Sequence, residues 1–96
     1  MNQIAEEVAR HQPRHEVHLG IEYNGLRKEI EINNEATVKA LLDRAISVFG
    51  NLPQPHMLAL WTAQGVELTN EKQTLKEAHI KDGEVLILRP GAVKGG

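Results

Sequence analysis

Cysteine is absent from this 96-residue chain. No disulfide can form, no thiolate can bind metal, and no side chain can carry a thioester or attack one. Any thioester chemistry involving this protein must use a partner's thiol. An excess of positive charge is absent too: the formal net charge is -2, which argues against nucleic acid as a partner, because its binders usually present a strongly basic face. No apolar run approaches the ~20 residues that cross a bilayer. Residues 1–15 lack the apolar centre of a secretory signal. The expectation is a cytoplasmic protein with no membrane partner. The sequence also contains no nucleophile motif, phosphate-binding loop, dinucleotide fingerprint, repeat or low-complexity segment, so it is read as a non-enzyme.

What remains is an ordinary globular composition, 41% hydrophobic and 25% charged, long enough for one domain and not two. A domain of this size buries only ~60–65% of the surface its unfolded chain exposes, so each periodic apolar residue matters. Residues 1–14 are polar apart from a few positions. Ile4 and Val8 could support a short amphipathic helix over Asn2–Arg10, but so little apolar surface stabilises little, and the segment is read as a flexible N-terminal extension. Between His15 and Tyr23, Val17, Leu19, Ile21 and Tyr23 alternate with Glu16, His18, Gly20 and Glu22, the period of a half-buried strand. Asn24-Gly25 tolerates the positive φ angles of a two-residue hairpin. The returning strand Leu26–Ile32 places Leu26, Lys28, Ile30 and Ile32 on one face, with Lys28 expected at the sheet margin.

Asn33–Ala36 reads as a loop, and Thr37 as the N-cap of a helix. Val38, Leu41, Leu42, Ala45, Ile46 and Phe49 form one apolar stripe, with Lys39, Asp43, Arg44 and Ser47 opposite. Gly50 is expected as a left-handed C-terminal cap. The prolines in Leu52-Pro53-Gln54-Pro55 exclude regular helix. Met57–Thr62 is predicted as a strand, Ala63-Gln64-Gly65 as a turn and Val66–Leu68 as a very short strand. Leu75, Ala78 and Ile80 fit a single helical turn, Lys81–Glu84 another turn, and Val85–Arg89 a final strand. One long helix for a whole sheet predicts a two-layer α+β domain over residues 15–90. Pro90 lacks an N–H and is expected to end sheet pairing, leaving residues 91–96 as a flexible tail.

This order and punctuation resemble ubiquitin over roughly His15 to Gly96. The shared features are the opening hairpin, Thr37-Val38 at the helix start and the proline loop. They continue with Gly65-Val66-Glu67-Leu68 at the second hairpin, Thr74-Leu75 with Ile80 five residues after the leucine, and a last strand leading to Gly95-Gly96. The resemblance implies a β-grasp fold, a mixed sheet with the last strand lying centrally beside the first. It also implies a protein modifier. An activating enzyme adenylates the C-terminal glycine carboxylate with ATP and Mg²⁺, so this chain would bind no cofactor itself. The modifier then passes as a thioester to conjugating enzymes, forms an isopeptide bond with amine groups of target proteins, and is removed by a deconjugating protease.

By the resemblance Gly96 is the reacting residue and Gly95 its companion, with Ala92, Val93 and Lys94 recognised in a narrow channel. A glycine pair lets backbone approach a partner's catalytic groups closely. Lys94 stands where ubiquitin has arginine, keeping the charge without bidentate pairing. Val66 and Asp82 stand where ubiquitin has its main chain-forming lysines, and Pro-Gly precedes the tail. These departures imply a dedicated activating enzyme. The tail is similar to those of bacterial ubiquitin-like proteins encoded beside activating, conjugating and deconjugating enzymes, some of which act against phage. Two other readings stand beside this one: a sulfur carrier with a C-terminal thiocarboxylate, and a non-conjugated interaction module.

Alternation supplies a partner-binding candidate. If Leu58, Leu60, Leu86 and Leu88 face the helix, then Ala59, Trp61, Val85, Ile87 and Arg89 face outward as one patch. The five histidines are read as solvated, because the spacing of His11, His15 and His18 does not converge without a helix and His56 and His79 are isolated. Glu67, Glu71, Glu77, Asp82 and Glu84 are read as a solvated acidic stretch with no catalytic pairing.

Overall fold

The computed structural model describes residues 15–92. The N-terminal extension with its candidate helix, and Val93, Lys94, Gly95 and Gly96, lie outside the described residues. The chain order is β1 (Glu16–Tyr23), β2 (Leu26–Asn33), α1 (Val38–Phe49), a 3₁₀ turn (Pro55–Met57), β3 (Leu58–Thr62) and β4 (Val85–Pro90). The strands form one sheet in the order β2-β1-β4-β3. β1 runs parallel to β4, and the other two pairings are antiparallel. The α+β β-grasp arrangement is therefore present, with the last strand central.

Asn24 and Gly25 both adopt positive φ, 51° and 83°. They close the hairpin in a register that pairs Tyr23 with Leu26 and Glu16 with Asn33. The inward residues Val17, Leu19 and Ile21 join Ile30, Ile32, Leu58, Leu60, Leu86 and Leu88 beneath α1, which contributes Val38, Leu41, Leu42 and Ala45. Only the far half of β2 lies under that cover. Ile30 and Ile32 are buried, but Leu26 is 64% exposed and Lys28 is exposed as well, so the apolar face of β2 is shorter than its alternation suggests. Tyr23 packs on Phe49 at the same end, ring centroids 5.7 Å apart.

The ends of α1 show how its limits are set. Thr37 caps the start, its side chain accepting from the Ala40 N–H at 3.1 Å. Gly50 ends it with φ 91° but ψ -132°. That is not the left-handed cap expected from the sequence, although it still requires glycine. Its N–H donates to both the Ile46 and Ser47 carbonyls. Gln54, between two prolines, takes a left-handed conformation, not the extended one that a following proline favours.

Two expected elements are smaller than regular structure. Val66–Leu68 makes hairpin bonds, Thr62 N–H donating to the Val66 carbonyl and Leu68 N–H to the Leu60 carbonyl. Within Val66–Leu68 a single bridge forms, between Trp61 and Glu67, so no strand forms. Around Leu75–Ile80 the chain makes an irregular turn stabilised by a capping box. Thr74 N–H donates to Glu77 Oε1 at 2.9 Å, and Glu77 N–H donates to Thr74 Oγ1 at 3.0 Å. Leu75 and Ile80 are buried beneath it.

The 81–84 turn stitches β4 to β1 before their ladder begins. His18 N–H donates to Asp82 Oδ1 at 2.7 Å, Gly83 N–H to the His18 carbonyl at 2.7 Å, and Gly20 N–H to the Glu84 carbonyl at 3.0 Å. The backbone N–H of His18, and secondarily its ring, hold the Asp82 carboxyl below its ordinary value of 3.8. The folded state thus favours ionised Asp82. This stabilisation is present above the unfolded-state pKa and is lost as pH falls through the lower folded value. Acid titration of unfolding, followed from about pH 5 to pH 2, should show a steeper loss of stability for the wild type than for Asp82→Asn. A second measurement checks the core: Leu86→Ala should cost about 2–5 kcal/mol in urea denaturation, whereas Leu26→Ala should stay within about 0.5 kcal/mol of wild type.

Candidate functional site

The face of the sheet turned away from α1 carries the five residues expected to form a patch, Ala59, Trp61, Val85, Ile87 and Arg89. Trp61 is paired with Ile87 and Ala59 with Arg89 across β3 and β4. Gly20 is paired with Val85 and Glu22 with Ile87 across β1 and β4. Because paired residues share a face, Val85, Ile87, Arg89 and Trp61 form one contiguous surface. Val85, Ile87 and Trp61 are half-buried, and Arg89 is exposed. The Arg89 guanidinium lies 4.0 Å from the Trp61 ring centroid, a cation–π stack worth about 0.5–1 kcal/mol at an exposed site. Trp61 Nε1 is buried and finds no acceptor among the described residues.

Ala59 departs from expectation. It sits on the outer face but is only 1% exposed, because the Gly91 backbone crosses it. A Cβ placed on Gly91 would come within 2.9 Å of the Ala59 methyl. Ala59 therefore forms the floor under the tail root and is not part of the open surface.

Pro90 also departs from expectation. β4 includes it, with Leu58 as its partner, and Gly91 N–H goes on to donate to the Met57 carbonyl at 2.9 Å. Antiparallel bonds alternate along a strand, so the Pro90 nitrogen faces away from β3. On that side the ladder with β1 has already ended at Glu22 and Ile87. The missing N–H leaves no gap, and anchoring continues through Ala92, whose N–H donates to Glu67 Oε1 at 3.0 Å. Ala92 itself is exposed.

Three contributors are not among the residues expected from the sequence. Glu67 belongs to what was read as a solvated acidic stretch. The Met57 carbonyl offers no sequence signal. Arg27 folds across the sheet over Gly20, where a Cβ would meet its Nε at 2.7 Å. The signal for Arg27 was available: a glycine inside an alternating strand often marks the close approach of another group. Arg27 also lies 3.6 Å from Glu29. His18, between Asp82 at 3.3 Å and Glu31 at 3.7 Å, is part of the turn that stitches β4 to β1. No group of three potential metal ligands occurs among the described residues.

Two hollows flank these features. One of about 260 Å³ lies beside the end of β4 between the hairpin turn and the proline loop, touching Tyr23, Gln54, Met57 and Pro90. Another of about 400 Å³ separates α1 from Pro55 and His56. The Lys39 amine there pairs with Asp43 at 2.7 Å, and this hydrogen bond raises the lysine pKa. Among the described residues, no helix is long and apolar enough to cross a membrane.

The central parallel strand, the helix that lies across the sheet and the two hairpins define a ubiquitin-like β-grasp domain. The chain belongs to the family described as Protein of Unknown function (DUF2604), which matches residues 12–96. No curated protein matches the sequence. Among solved structures, the ubiquitin of Caldiarchaeum subterraneum is similar with a TM-score of 0.66 at 26% identity, over 84% of this chain and 99% of that one. The ubiquitin-like domain of Arabidopsis thaliana protein At2g32350 gives a TM-score of 0.66 at 20% identity, over 78% and 77% of the two chains. ATBAG1, solved in complex with HSP70, gives 0.65 at 18% identity, over 82% of this chain and 42% of that one.

Arg89→Ala should shift the emission of Trp61, the single tryptophan, and lower stability by about 0.5–1 kcal/mol. An unchanged spectrum would show that the stack does not persist in solution.

Proposed function

We propose that the protein is a ubiquitin-like modifier whose Gly96 carboxylate is activated by an ATP- and Mg²⁺-dependent enzyme and joined to amine groups of target proteins. The observation that carries this reading is the course of β4. A central strand of a ubiquitin-like sheet, paired on both edges, leads through Pro90, Gly91 and Ala92 directly into Val93-Lys94-Gly95-Gly96. A rigid domain thereby presents a small-residue segment to a partner's active site. With no cysteine in the chain, the thioester sulfurs are those of activating and conjugating enzymes, and the chain is a substrate and not a catalyst. A deconjugating protease would recognise Ala92, Val93 and Lys94 before cutting behind Gly96. A dedicated bacterial conjugation system is the setting that fits the departures of this tail from ubiquitin's.

A second reading is favoured by the outer face. Trp61, Ile87, Val85 and Arg89 offer an apolar surface with a stacked cation, the kind of patch through which proteins dock. The structurally similar domains also include one that forms part of a longer protein. In this reading the protein is an interaction module and its tail takes no part.

Incubation with ATP, Mg²⁺ and a cognate activating enzyme separates the possibilities by intact mass. An adenylate or an enzyme-linked thioester that disappears on deletion of Gly96 is the expected result. Products unchanged by that deletion would sink the tail chemistry. Replacement of one terminal oxygen by sulfur would identify a sulfur carrier. Cellular activity that survives loss of Gly96 but not Trp61→Ala would identify the module.

A further inference from the structure

A carboxylate holds the root of the tail. Gly91 N–H is bonded to the Met57 carbonyl at 2.9 Å, and one residue later Ala92 N–H is bonded to Glu67 Oε1 at 3.0 Å. The second carboxylate oxygen fills the space beside Gly91: a Cβ there would stand 2.5 Å from Glu67 Oε2 and 2.9 Å from the Ala59 methyl. Gly91 is buried as a result, on a face where a strand end would ordinarily meet water. Glu67 is placed by backbone. Its bridge to Trp61 and the bond from Leu68 N–H to the Leu60 carbonyl at 2.9 Å set it on the rim of β3. From there its side chain reaches across Ala59 to the tail.

From this arrangement we infer that Glu67 is a positioning residue for the tail, clamping Ala92 onto the outer face so that the backbone anchoring runs through Ala92 and does not stop at Gly91. Four residues, Val93 to Gly96, follow the clamp. Fully extended, they span at most ~14 Å, against ~18 Å for the five residues after Gly91. A partner whose reactive centre lies deeper than the shorter reach must open the Glu67 contact to use the tail. It could do so by offering Glu67 a cation or Ala92 another acceptor. The clamp therefore selects partners by cleft depth. That consequence rests on the modifier reading, whereas the clamp itself does not.

Amide hydrogen exchange on the free protein tests the clamp. Glu67→Ala should speed exchange of the Ala92 amide about fivefold, the equilibrium factor of a single exposed hydrogen bond. Amides within β3 and β4 should be unchanged. Gly91→Ala, which leaves Glu67 in place but intrudes on its carboxylate, should speed Ala92 to a similar degree. Glu67→Gln, which keeps an oxygen acceptor at the same reach, should hold Ala92 within about twofold of wild type. Equal Ala92 exchange in wild type and Glu67→Ala would overturn the inference, as would an equal loss in the glutamine and alanine variants. Because this experiment needs no activating enzyme, its failure leaves the modifier reading standing. Failure of the Gly96 deletion test likewise leaves the clamp standing.

Discussion

β4 is the strand on which the rest of this domain depends. It pairs in parallel with β1 and antiparallel with β3, and its inward residues Leu86 and Leu88 lie at the centre of the core. Without it the β1-β2 hairpin and β3 would share no backbone hydrogen bonds, and α1 would have half a sheet to cover. Bringing β4 to β1 closes a long loop, an entropic cost that grows slowly with length and is offset only by contacts that form together. The 81–84 turn helps at this point. Its bonds to His18 and Gly20 align β4 with β1 from the end where pairing starts. The same strand carries the tail root, so the feature that completes the fold also fixes where the tail leaves it.

The two faces of that sheet solve different problems. The inner face is apolar and covered except at the hairpin end of β2, where Leu26 and Lys28 are exposed. The outer face keeps large side chains flat: Arg27 lies over Gly20, Arg89 over Trp61, and Glu67 reaches over Ala59. Each crossing needs a small or planar residue beneath it. Glycine and alanine at positions 20 and 59 thus have a packing role that their size alone conceals. Together these crossings cover backbone and small residues that would otherwise be open on a four-stranded sheet, while leaving the Trp61, Ile87 and Val85 surface half-open.

Most of this architecture was legible in the sequence, because its signals are local and redundant. Asn24-Gly25 fixes a turn by φ preference, Thr37 and the six-residue stripe delimit α1, and alternation assigns the faces of β3 and β4 correctly. Three departures at the tail root share one origin. Ala59, Pro90 and Glu67 were judged by local rules, and each is governed by a contact with a distant segment. Alternation places Ala59 outward but says nothing of Gly91 passing over it. Proline was expected to end pairing, yet its missing N–H faces the side where no strand remains. Glu67 lies 25 positions from the residue it holds, beyond the reach of any periodicity. The Thr74–Glu77 capping box, by contrast, was readable from spacing and shows that not every acidic residue in that stretch is merely solvated.

The parallel pairing of β1 with β4 also imposes an order in time. During synthesis β1 and β2 emerge first, and β4 follows β2 by 57 residues, counting from Asn33 to Pro90. At typical elongation rates of ~5–20 residues per second that is a delay of roughly 3–11 s. A hairpin forms in microseconds, so for nearly all of this interval β1 waits with one edge already paired and the other bare. A bare, apolar strand edge is a template for unwanted association. The polar and charged residues of the outer face, His18, Glu22, Arg27, Glu29 and Glu31, would then serve the nascent chain before they serve the finished one, keeping a half-built sheet in solution until its central strand arrives.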